Sequence, residues 1–223
     1  MSQSTQPKLP ARDVAEMLDL LVASEGTGAH PHVRAGELSN GPDAMRNLAD
    51  AVHFLCLLHG RHPGVIDNAA RKAVDPASRQ WMDEAAEAFA QERAFLSKIA
   101  AAVGPMPSTH GQAQSEAAVG AQQKALDMLS ESDRHGCAVG AAIALTLDWR
   151  TIRVLLDISA QRLDMNPPRC TLPDLRDTAR LAATIADSPA VERAMVFGAQ
   201  QLITQHSGLW DLLAARAASR HEA

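Results

Sequence analysis

Apolar residues recur along this chain at three- and four-residue spacing, and no segment shows the two-residue alternation of a strand. Val14, Met17, Leu18 and Leu21 stripe a helix predicted over about residues 11–24, which Gly26 ends. A loop rich in Gly, His and Pro fills 27–41. The next helix opens at Asn40-Gly41-Pro42-Asp43, a cap with a proline suited to a first turn, and runs to Gly60. A short helix is predicted over 65–74. Trp81, Ala85, Phe89, Phe95, Leu96 and Ile99 stripe a long one over about 77–103, which Gly104-Pro105-Met106-Pro107 breaks. Further helices are predicted over about 108–129, 133–163, 173–186, 188–206 and 209–219, with Gly208 separating the last two. Short loops, no fixed-period repeat and no long linker predict one all-α domain over 11–219. It is a helical bundle of about eight or nine helices, and residues 1–10 form a flexible tail.

The most telling stretch is Gly136 to Ile158, GCAVGAAIALTLDWRTIRVLLDI. Its first half is apolar on every side, the mark of a buried helix. Asp148, Arg150 and Arg153 then appear beside Trp149. Ionisable groups on a buried helix need partners. Gly136, Gly140 and Ala144, four residues apart, would let a neighbouring helix approach closely.

Composition reinforces the helical reading. Ala and Leu dominate the apolar share, while Tyr is absent and only four Phe and three Trp occur. The net charge of −5 disfavours nonspecific nucleic-acid binding. The longest uncharged apolar stretch, near 136–147, is too short to span a bilayer. The polar opening residues hold no signal-peptide core. Cys56, Cys137 and Cys170 are widely spaced and form no CxxC pair, which suits reduced, buried thiols. A soluble cytoplasmic protein is expected, with a small molecule, a metal or a second copy as partners open to it and no nucleic acid or membrane among them.

The densest polar run is His53-x-x-Cys56-x-x-His59-x-x-His62. These are metal-ligand types, but each three-residue step turns the helix by about 300°, so the four cannot converge. Separate roles are expected: Cys56 in the core, His53 with Asp50, and His59 near a helix C-terminus. A second pattern is more specific. His59 continues the stripe of Met45, Leu48, Val52 and Leu55. Glu92 lies among Ala85, Phe89, Phe95 and Ile99. Asp148 lies among Ala141, Ala144, Ile152 and Leu155, and His206 among Val191, Met195, Ala199 and Leu202. Glu116 is a fifth candidate.

Inward carboxylates and imidazoles on separate helices suit a carboxylate-type metal site, with His59 and Glu92 as candidate ligands. They equally suit a small-molecule pocket, with Glu116, Asp148, Arg150 and His206 as candidates, or a structural polar cluster. No helix carries Glu-x-x-His. Arg150 would hold a ligand carboxylate or phosphate, or else clamp a neighbouring helix. Arg153 and Asp157 can pair one turn apart, and the Trp149 indole N–H needs an acceptor. Thr109 with Gln112 resembles a capping box. GxSxG, P-loop, GxGxxG and HExxH motifs are absent, so no catalytic residue, substrate or cofactor is indicated.

The stretches at 49–67 (ADAVHFLCLLHGRHPGVID), 108–129 (STHGQAQSEAAVGAQQKALDML), 133–157 (DRHGCAVGAAIALTLDWRTIRVLLD) and 197–216 (FGAQQLITQHSGLWDLLAAR) resemble an uncharacterised family of bacterial all-helical proteins. That resemblance implies no activity. The helix pattern is also similar to the haem-oxygenase and TenA-like fold. The chain departs from that group at its chemistry: no histidine precedes His30, and Cys137 does not match the nucleophile pattern. Two functions stay open. One is a bundle with an internal polar pocket, which requires at least three candidate side chains around a shared cavity. The other is a noncatalytic interaction or regulatory protein, which requires a closed core and an exposed apolar patch.

Overall fold

The computed structural model describes residues 13–73 and 76–221, so the expected tail at 1–10 lies outside the described residues. Every described element is helical. They are α1 (Val14–Glu25), a 3-10 turn (Thr27–Ala29), α2 (Pro31–Arg34), α3 (Ala44–His59), α4 (Val65–Lys72), α5 (Pro76–Ala102), α6 (Gln112–Ser130), α7 (Cys137–Arg162), α8 (Leu175–Ile185) and α9 (Pro189–His221). The all-α expectation holds. Among the described residues no helix is long and apolar enough to cross a membrane.

Helix α7 is the axis of the structure. Gly140 through Trp149 are buried without interruption, and α7 packs on α1, α3, α4, α5, α6, α8 and α9. Its contact with α9 depends on two missing side chains. A Cβ on Gly140 would lie 2.0 Å from the Met195 carbonyl oxygen, and one on Gly198 would lie 2.0 Å from that of Cys137. The two backbones therefore touch, as the glycine spacing in α7 anticipates.

Three expectations need correction. Gly208 does not end a helix: α9 runs straight through it. Leu209, Trp210 and Leu213 are buried and carry the apolar face onward. Gly208 instead makes room for α6, since its Cβ would meet Gln122 Nε2 at 2.8 Å. The 27–41 segment is not all loop, because it forms the 3-10 turn and α2. Finally, α6 begins at Gln112 behind Gly111, whose left-handed φ of 75° turns the chain, so Thr109 and Gln112 form no capping box.

Candidate functional site

A polar chain runs through the centre, built from α1's trailing turn, α3, α7 and α9. Asp148 reaches into the core from α7. Gly26 brings the following turn so close that a Cβ there would lie 2.6 Å from Asp148 Oδ1. The Thr27 N–H donates to Oδ1 at 2.7 Å, and the Thr27 hydroxyl donates to Oδ2 at 2.6 Å. Trp210 Nε1–H donates to Thr27 Oγ1 at 2.9 Å. On the other side His206 Nδ1 stands 2.6 Å from Asp148 Oδ2. An ionised carboxylate can only accept, so that nitrogen carries the proton. His206 Nε2 then meets His59 Nε2 at 2.8 Å. One of these two nitrogens must donate and the other accept, so they share a single proton. All five residues are buried.

The His59 ring stands edge-on to Trp149, with centroids 5.5 Å apart, and to Phe89 at 6.2 Å. Burial holds the His59 imidazole well below its ordinary pKa, and His206 and Arg93 push the same way. Burial therefore favours the neutral form of His59 in the fold.

Glu92 adjoins this chain through Trp149, whose Nε1–H donates to Glu92 Oε2 at 3.0 Å. Arg153 Nη1 donates to Oε1 at 2.5 Å, and its Nε donates to Asp157 at 2.7 Å, as the one-turn spacing anticipates. Two more carboxylates are buried. Asp67 of α4 takes both guanidinium arms of Arg93 of α5, at 2.8 and 3.2 Å. Asp50 of α3 takes Arg216 at 3.0 Å and also Arg220, both from α9. Among the described residues the buried carboxylates are Asp50, Asp67, Glu92 and Asp148. Each is bonded to a base on a different helix.

The candidates named from the sequence divide accordingly. His59, Glu92, Asp148 and His206 come together. Glu116 does not: it is exposed and accepts from Gln112 one turn back at 2.7 Å. Arg150 donates to the Pro173 carbonyl. His53 meets the Gly104 carbonyl at 2.9 Å instead of Asp50, which the arginines occupy. Sequence reasoning missed Thr27, Trp210 and the partners Asp50, Asp67, Arg93, Arg216 and Arg220. The Gly26-Thr27-Gly28 triplet was the available signal for a close backbone approach. The arginines gave none, because a long side chain reaches the interior from the edge of a stripe.

Among the described residues, the convergent groups bond to one another and line no common cleft. His59 borders a cleft of about 10 Å³, room for about one water. A cleft of about 430 Å³ lies elsewhere, at the start of α7, lined by Lys72, Asp133, Arg134 and His135. None of the sequence candidates lines it. The metal candidates His59 and Glu92 meet through Trp149, and each is bonded to another residue. Two nitrogens on one tetrahedral zinc stand about 3.3 Å apart, given bonds of about 2.0–2.1 Å. The 2.8 Å between the imidazoles is a hydrogen bond, and both Glu92 oxygens are taken. Among the described residues, no group of three His, Cys, Asp or Glu side chains is disposed to hold a metal. On the exterior, Met128 and Phe197 are 75% and 44% exposed and share a shallow groove with Leu129.

Residues 22–221 match the model of a family described as a family of unknown function, DUF6975, and the chain belongs to that family. No curated protein and no solved structure matches.

Proposed function

We propose that this member of DUF6975 is a noncatalytic interaction or regulatory protein whose inward ionisable groups set helix register. One observation carries the reading: each buried carboxylate among the described residues is already satisfied by a base on another helix. Such pairs contribute little net stability compared with apolar packing, but a slip of one helix would leave a buried charge unpaired. They therefore penalise wrong registers more than they stabilise the right one. Asp148 with His206 has the orientation of a general-base pair. The atom that a substrate would have to reach, His206 Nε2, is occupied by His59.

A second reading, binding of a small polar molecule, is supported by the 430 Å³ cleft at the start of α7, a size usual for ligand sites. Elemental analysis and native mass spectrometry of the purified protein test both. The first reading expects the mass of the polypeptide alone and no stoichiometric metal. Stoichiometric iron, manganese or zinc that is lost on Glu92→Ala would overturn it. A retained organic molecule released by Lys72→Ala would favour the second.

A further inference from the structure

The proton shared by His59 and His206 has a consequence beyond register. One imidazolium can be held in this chain, because His206 Nδ1 faces the Asp148 carboxylate. Two cannot: both Nε2 atoms would carry hydrogen and face each other at 2.8 Å in dry surroundings. Asp148 is not free to take a second cation, because it already accepts from Thr27 twice and from His206. Among the described residues, the charged groups linked to His59 are His206 on α9 and, through it, Asp148 on α7; Arg93 on α5 and, through it, Asp67 on α4; Glu92 on α5 through Trp149; and Asp127 on α6 across the cleft. Arg61 and His62 follow His59 in the chain. Arg93 opposes the new charge, and both Glu92 oxygens are already committed to Trp149 and Arg153.

Water is a further partner, and the cleft beside His59 is its route of entry in this proposal. The cleft beside His59 is walled by Arg61, Pro63 and Gly64 on one side and by Leu126 and Asp127 of α6 on the other. The 60–64 segment is held at its rim. Arg61 pairs with Asp127, the Gly64 N–H donates to Asp67 at 2.8 Å, and His62 Nδ1 lies 3.4 Å from Asp67. The Arg61 side chain is 58% exposed, so its pairing is weak.

We propose that this is an acid-triggered latch: when both His59 and His206 are protonated their contact breaks, and the last turn of α3 with the 60–64 segment releases from α6 and α9. The latch rests on the reading that the imidazole pair holds no ligand or metal.

Hydrogen–deuterium exchange of the full chain from about pH 7.5 down to about pH 4.5, corrected for intrinsic exchange rates, tests it. In the wild type, peptides covering 54–66 should open about tenfold more per pH unit below about pH 6.5, where the opened segment binds one proton more than the closed one, while α7 stays protected. His59→Gln should lose that response, and His62→Gln should keep it. The latch is wrong if 54–66 stays protected until the whole protein unfolds, if His59→Gln responds like the wild type, or if His62→Gln abolishes the response. Should His59→Gln fail to fold, histidine NMR of the wild type decides. Proton uptake at His59 must coincide with the opening, and uptake without opening overturns the latch. Elemental analysis of the same sample separates this failure from failure of the ligand-free reading.

Discussion

Asp148 is fully buried and accepts three hydrogen bonds from two other segments. Asp148→Ala leaves the Thr27 N–H, the Thr27 hydroxyl and His206 Nδ1 without partners. A loss of about 3–5 kcal/mol is expected, the usual cost of breaking a buried pair, and urea unfolding would measure it. His59 adds a pH dependence with a definite sign. Its folded pKa lies well below the ordinary 6.5. Between those two values the unfolded chain binds the extra proton and the folded chain does not. The His59 contribution to stability is therefore constant above about pH 6.5 and falls below it by up to about 1.4 kcal/mol per pH unit. His32, also lowered mainly by burial, adds in the same direction. Urea midpoints against pH should show the fall, and His59→Gln should shrink it. At this scale the sequence was informative for His59, Glu92, Asp148 and His206, because each interrupts an apolar stripe. It was silent on what each one bonds, since hydrogen-bond partners come from other helices.

At the scale of the element, glycines separate local preference from packing. Gly120 and Gly140 both sit inside helices. A Cβ at Gly120 meets nothing within 4 Å, whereas at Gly140 it meets the α9 backbone at 2.0 Å. Gly120→Ala should therefore stabilise by about 0.5–1 kcal/mol through helix propensity. Gly140→Ala gains the same propensity but must push α9 away, and should destabilise by about 1–3 kcal/mol. Opposite shifts in melting temperature would check the pair. The same ambiguity explains why Gly208 looks like a helix end from sequence: a glycine that breaks and a glycine that admits a neighbour read identically until the neighbour is known. The ion pair between α5 and α7 allows a second test. Arg153→Met alone strands Glu92 and should cost about 3–5 kcal/mol. Glu92→Gln with Arg153→Met keeps an acceptor for Trp149, and should recover most of that loss in a double-mutant cycle.

Across the whole molecule, the periodicity of apolar positions carried the fold class, because burying one face of each helix is what assembles them. The interior polar groups were legible as convergent, but convergence alone does not distinguish a site from a clasp. That difference lies in whether the groups leave space between them or bond to one another, and here they bond. Long-range nitrogen–proton NMR on histidine-labelled protein tests this most directly. A shared proton predicts a through-bond coupling between His59 Nε2 and His206 Nε2 at neutral pH, with His206 Nδ1 protonated toward Asp148. Two imidazoles with no mutual coupling, each exchanging with solvent or shifted by a bound metal, would contradict the closed core.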